Sequence, residues 1–275
     1  MKNLLKKILS LIGKILYLFI NNKIGIFISD SFLLSILNNK KRIKYGEKVF
    51  YLHVPTFLTR YRWKTFFTKE PETLDWIDRF KKKSIFYDIG ANVGLYSIYA
   101  ANGNSQKVYS FEPSFFNLEL LSRNIYSNKL NDNITIIPLP LNDKISVSKF
   151  DLTSTDWGGA LSTFEKGIND SGKKIDSIFS YNTLGFDLDT IVKISSIPKP
   201  DYIKIDVDGL EHFILSGGEK TIKKAKEILL EVNDKFSSQR DLTKLFLSQA
   251  GFSLEKKVFA SDKSSVANQI WKKKK

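Results

Sequence analysis

An α/β fold built on a parallel sheet is what the sequence predicts, from two observations. From Ser84 onward, short apolar runs alternate with helical runs. Where the first strand feeds the first helix, a glycine turn reads "YDIGANVG", Tyr87 to Gly94. Strand and helix in turn place helices on both faces of a parallel sheet.

The elements follow in chain order. The N-terminus, "MKNLLKKILSLIGKILYLFINNK", has polar positions every three or four residues and apolar residues on its other face. That is an amphipathic basic helix, suited to an interface with an anionic membrane or to packing on the domain. Lys6, Lys7 and Lys14 interrupt any apolar run long enough to span a bilayer. "NNKKRIKYGEK" reads as a solvated turn region, and "KVFYLHVPTFLTRYRW" as a strand and a loop. A helix opens at Pro71, with Leu74, Ile77 and Phe80 as its apolar stripe. Strands are then expected at "SIFYDIG", "KVYSFEP", "ITIIPL", "YIKIDV" and "EILLEV". Helices fall at "GLYSIYAANG", "FFNLELLSRNIYSN", "DLDTIV" and "RDLTKLFLSQAG". Residues 142–200 interrupt the alternation and read as an antiparallel insertion with a Gly-rich loop. "FSLEKKVF" and "VANQIW" suit a closing hairpin. Residues 1–60 are read as an N-terminal helical and linker region, and 61–275 as the main domain.

Composition narrows the chemistry. The 275 residues include no cysteine, which excludes disulfides, thiolate zinc sites and cysteine nucleophiles. The formal net charge of +14 suits an anionic membrane, nucleic acid or an acidic glycan, and does not choose among them.

The glycine turn says more. Gly90 permits a sharp turn, and Gly94 a close approach of helix and ligand. The pattern is not the G-x-G-x-x-G of dinucleotide folds. An acid, Asp88, stands just before it, which suits a cofactor bearing an amino group and a sulfonium charge rather than a pyrophosphate. The next strand ends in Glu112, placed to accept both hydroxyls of a ribose. Farther on, "IKIDVDGLEH" sets Asp206, Asp208 and Glu211 at the end of a buried strand. Like charges there must face something positive or share protons. The stretch is not a calcium loop, because its glycine comes too early.

Five blocks, "TFFTKEPETLDWI", "FYDIGANVGLYSIYAA", "VYSFEPS", "LDTI" and "DYIKIDVDGLEHFILSGGE", ending with "ILLEVN", run in order from about Thr65 to Asn233. In them the chain resembles the FkbM family of S-adenosylmethionine-dependent methyltransferases. Asp208 stands where the family pattern usually has Glu. The resemblance implies a class I methyltransferase fold: a seven-stranded sheet whose last strand is antiparallel. It also implies O-methylation, with sugar hydroxyls of polysaccharides or glycolipids as acceptors.

The cofactor, S-adenosyl-L-methionine, is expected on Asp88, Gly90, Asn92, Gly94, Glu112, Pro113, Asn142 and Asp206. Asn142 and Asp143 either reach the adenine edge or form a plain turn. Asp206 is expected to act as general base or to position the acceptor. Asp208 and Glu211 support it, and His212 is read as a packing residue. Glu231 ends the fifth strand and faces the same crevice. No residue is assigned as a metal ligand, although Mg²⁺ or Mn²⁺ on Asp206, Asp208 and Glu211 stays open as a second positive charge. Two alternatives stand beside this reading. A nucleic-acid methyltransferase is disfavoured because no Asn-Pro-Pro-Tyr-like motif is present, so no nucleic-acid partner is expected. A non-catalytic binding module is disfavoured by the intact motifs. The expected place is cytoplasmic, peripheral at the inner membrane face through the N-terminal helix.

Overall fold

The computed structural model describes residues 2–20, 23–104 and 106–274. Two helices, α1 (Lys2–Ile20) and α2 (Lys23–Leu37), precede a hairpin of β1 (Lys40–Tyr45) and β2 (Lys48–His53). Helices α3 (Phe57–Thr65) and α4 (Pro71–Asp78) lead into β3 (Ile85–Ile89), α5 (Leu95–Asn104), β4 (Lys107–Phe111), α6 (Phe115–Ser127) and β5 (Ile134–Ile137). The insertion carries β6 (Leu141–Asn142), β7 (Ser146–Leu152), β8 (Thr163–Phe164) and β9 (Phe179–Asp187). After α7 (Leu188–Ile194) come β10 (Tyr202–Ile205), α8 (Glu211–Ser216), α9 (Glu219–Ile222), β11 (Glu227–Asn233) and α10 (Ser237–Gln249). The hairpin of β12 (Phe252–Phe259) and β13 (Val266–Lys273) closes the fold.

The main sheet has seven strands in the order β12-β13-β11-β10-β3-β4-β5. The five strands from β11 to β5 are parallel, and β13 runs antiparallel to β11. This is the class I methyltransferase sheet, with the antiparallel last strand that was expected. Its inner strands read as near-continuous apolar runs because both faces are covered. Ile203 and Ile205 face one core layer, while Phe86, Leu229 and Ile270 join the other. From β3 the chain moves outward through β4 to β5. It then returns to β10 on the other side of β3. That reversal opens a crevice at the carboxyl ends of β3 and β10, the usual ligand site of such a sheet.

The insertion is antiparallel as read where β7 pairs with β8 and β9, while the short β6 runs parallel to β9. The N-terminal quarter differs from the reading in three places. The lysine-rich segment taken for a turn is β1, paired along its length with β2. Lysines on its outward positions hide the alternation, and Ile43 is its one buried side chain, with Tyr45 on the same face stacked on Phe67. The segment taken for a loop contains α3, begun by a capping box between Thr56 and Thr59. The third difference is α2, a separate helix with no counterpart in the reading. The hairpin belongs to the same core as the sheet: Phe50 is fully buried, in edge contact with Phe66 and Tyr99. Phe50→Ala is therefore expected to destabilise the whole fold by about 3–5 kcal/mol. Chemical denaturation should show a single shifted transition, and a change below about 1 kcal/mol would detach the hairpin from the core.

Candidate active site

The turn after β3 is shaped by contact with the strand beside it. Gly90 has φ +83°, and a Cβ there would come within 1.9 Å of the Asp206 carbonyl oxygen. The Asp206 amide donates to Ile89 O at 3.0 Å, so the ends of β3 and β10 are locked side by side. Gly94 serves packing instead, since a Cβ would strike Leu121 at 2.4 Å.

Two cavities flank this junction. The first holds about 580 Å³ of open volume, and Glu112, Pro113, Leu139, Phe150, Phe164 and Asp206 are among its walls. Glu112 is fixed there by the amides of Asn92 and Ser114, each at 2.8 Å, while burial pushes its carboxyl up to about 7. The second cavity, about 1000 Å³, is lined by Arg62, Lys69, Glu70, Tyr96, Lys204 and Glu231, among others. Gly90, Asn92, Ala160, Asp206 and Asp208 belong to both walls. The insertion loop roofs them. Asn92 and Asn117 donate to Gly159 O at 2.7 and 3.1 Å, and the Leu161 amide donates to Asp208 at 2.7 Å. Arg62 Nε donates to Gly158 O at 2.8 Å.

What faces the acids is Lys204. Its Nζ lies 2.6 Å from Asp206 Oδ2 and its side chain is 1% exposed. Two residues apart on one strand, Lys204 and Asp206 share a face. On the neighbouring strand Asp88 stands directly opposite Lys204, with Ser110 beyond it. Ser97 of α5 covers the row, donating to Asp88 Oδ2 at 2.5 Å. Burial disfavours the charge on Lys204, but Asp206, Glu70 and Asp88 outweigh it and hold the ammonium protonated. Burial likewise pushes Asp206 up, yet Lys204, Lys69 and Arg62 keep its carboxyl below the usual range. Its neighbours titrate differently. Burial and the Asp206 charge raise Asp208 to about 7, and the same two causes raise Glu231 to about 9.

The expected residues divide accordingly. Gly90, Asn92, Glu112, Pro113 and Asp206 line the first cavity, and Glu231 lines the second. Asp208 sits between the two, in a left-handed conformation with φ +56°. Asp88 lines neither cavity: it is buried behind the turn, against Ser97 and Lys204. Asn142 lines neither as well, because its amide donates to Glu165 while Pro140 and Leu141 form the wall. Glu211 is buried beneath the turn, accepting from the Val207 amide at 3.0 Å and from Gln239 at 2.5 Å. His212 packs on Phe213 and Phe236, and burial lowers it to about 4, leaving it neutral. The three acids therefore do not converge on an ion: Asp206 takes Lys204, Asp208 an amide, and Glu211 amides and Gln239. Among the described residues no group of three His, Asp or Glu side chains stands where it could hold a metal.

The reading had no part for Lys204, nor for the second cavity. A lysine between isoleucines in an otherwise apolar strand was the available signal. Arg62, Lys69 and Tyr96 carried none, because they come from separate elements.

A model of the methyltransferase FkbM domain matches residues 88–254. Among curated relatives, the chain is 24% identical over 179 residues to the hexuronic acid methyltransferase AglP of Haloferax volcanii, covering 65% of this chain and 67% of that protein. It is 31% identical over 83 residues to the ribosomal protein arginine N-methyltransferase rmt3 of Schizosaccharomyces pombe, a match spanning 30% of this chain and 15% of that one. Among solved structures, the methyltransferase FkbM of Methylobacillus flagellatus superposes with a TM-score of 0.44 at 17% identity, over 70% of this chain and 44% of that one.

Removing Lys204 strands buried Asp88 and half-buried Asp206 without their nearest cation. Lys204→Met is expected to destabilise the fold by roughly 3–5 kcal/mol, read by thermal unfolding. A variant of native stability would mean that the carboxylates do not depend on this ammonium.

Proposed function

The chain belongs to the FkbM methyltransferase family, and from that premise we propose that it transfers a methyl group from S-adenosylmethionine to a sugar hydroxyl of a polysaccharide or glycolipid. The observation that carries the proposal is the pair of cavities meeting at Asp206 and Asp208. Transfer needs two ligands held edge to edge, with the reacting oxygen about 3 Å from the methyl carbon.

The first cavity fits an adenosine cofactor. Glu112 presents a fixed carboxyl to it, and Phe111, Leu139, Phe150 and Phe164 give it an apolar lining. Gly90 keeps the turn free of a side chain at the point nearest the strand end. When bound, S-adenosylmethionine supplies the methyl group as an electrophile and leaves as a neutral thioether.

The chain's own groups act on the acceptor. Asp206, kept ionised by Lys204, accepts a hydrogen bond from the hydroxyl and orients it. Asp208 takes the hydroxyl proton as the new O–C bond forms, since a carboxyl titrating near 7 is matched to that task at neutral pH. Glu211 holds the turn that carries Asp208. Arg62 and Lys69 at the second cavity suit an acidic sugar, which agrees with a relative named for hexuronic acid. Glu231, protonated at neutral pH, adds a hydrogen-bond donor. The proposed place is the cytoplasmic face of a membrane, supported by the basic amphipathic α1. Among the described residues no helix is long and apolar enough to cross one.

A base must be deprotonated to act, so kcat/KM should rise as pH increases through about 7. Asp208→Asn should lower turnover by about 10²–10⁴-fold and remove that limb. Cofactor binding by calorimetry should persist. Unchanged turnover in the variant would take the proton-accepting role from Asp208. Mass spectrometry of glycans from cells with and without the gene tests the acceptor: loss of one methyl from a sugar residue is expected, and an unaltered glycan profile would refute the sugar reading.

A further inference from the structure

Among the described residues, α2 carries seven exposed large apolar side chains. Ile24, Phe27 and Phe32 are 68%, 74% and 68% exposed, and Ile26, Ile28, Leu33 and Leu34 are exposed between them. At about 100° per residue these seven positions surround the helix instead of forming one stripe. Gly25 is the helix's one buried residue. Beside it, α1 exposes the stripe of Leu4, Ile8, Leu11, Ile12 and Ile15. The stripe meets solvent and not the domain core. A soluble surface rarely carries this much contiguous apolar area unless something covers it.

Charge and shape identify what covers it. Residues 1–44 contain nine Lys or Arg against one acid, Asp30. Three residues after α2, the β1 strand begins with Lys40, Lys41 and Arg42, followed by Lys44. Among the described residues none of these four has a carboxylate partner. A protein partner would cover one side of α2 and leave the rest in water. Acyl chains would wet every side. A 15-residue helix extends about 22 Å, short of the roughly 30 Å needed to cross, so it enters one leaflet only.

We infer that α1, α2 and the β1–β2 hairpin form one docking surface for an anionic lipid bilayer, with α2 as the immersed element and the β1 cations as its headgroup contacts. This deepens the membrane placement proposed above, and rests on it, by assigning immersion to α2 and charge recognition to the hairpin. The arm is tied to the catalytic body. His53 Nδ1 donates to the Leu37 carbonyl at 2.7 Å, its Nε2 meets Ser127 Oγ at 2.8 Å, and the Val54 amide donates to Asn39 O at 2.8 Å.

The test is co-sedimentation of the full chain with phosphatidylcholine vesicles and with vesicles containing phosphatidylglycerol. Strong binding to the second alone is expected. F27S/F32S/L33S should weaken it by about ten-fold or more. K40Q/K41Q/K44Q should weaken it by roughly a hundred-fold, at about five-fold per lysine. All these side chains are exposed or half-exposed, so both variants should still bind S-adenosylmethionine by calorimetry. No binding, or equal binding to both vesicle types, overturns the inference. So does a dimer in sedimentation velocity that the α2 variant dissociates. Vesicle binding does not require methyl transfer. Docking without any sugar methylation would therefore refute the acceptor reading and leave this surface standing.

Discussion

A single buried ammonium organises the carboxyl end of this sheet, where the two cavities meet. Lys204 is inside the protein because β10 is a central strand, and its charge is kept there because Asp88 lies across from it and Asp206 two residues along. An isolated ion in that position would neutralise itself. With its partners the lysine stays charged and holds down the proton affinity of Asp206. Burial first, and then the negative charge so fixed, raise the next acids, Asp208 to about 7 and Glu231 to about 9. Acids sharing one crevice thus acquire distinct protonation states: Lys204 and its neighbours hold Asp206 ionised, while burial and the Asp206 charge raise Asp208 and Glu231.

That division of labour would collapse if β3 and β10 were not adjacent. The reversal in strand order sets their ends side by side, and Gly90 lets the turn come close enough to Asp206 for the two cavities to share a wall. Glycine meets both demands here, a positive φ and the absence of a Cβ.

Much of this was legible in the sequence. The parallel strands were readable as short apolar runs, and Gly90 as a turn residue, because each signal is local. The closing hairpin was visible for the same reason. The antiparallel pairing within the insertion was visible too, but not the placement of Phe150 and Phe164 against the first cavity, which depends on how the insertion folds back. Asp88 and Asn142 illustrate the limit of motif reading. Both were expected to hold the cofactor, and both turn their side chains to Ser97 or Glu165 instead of the cavity. In β1 the outward lysines masked a strand whose one buried side chain is Ile43. The seven exposed apolar residues of α2 gave no amphipathic rhythm by which to recognise a surface helix.

The loop from Gly158 to Leu161 is fastened to the turn after β3 by Asn92, to α6 by Asn117, to α3 by Arg62 and to Asp208 itself. Its ties cross from one ligand's territory into the other's. On the proposed assignment of one ligand to each cavity, moving this loop for either ligand would also disturb a wall of the other cavity, so the two occupancies would be coupled. Under that assignment, the order in which the two ligands arrive and depart would be a property of one short loop.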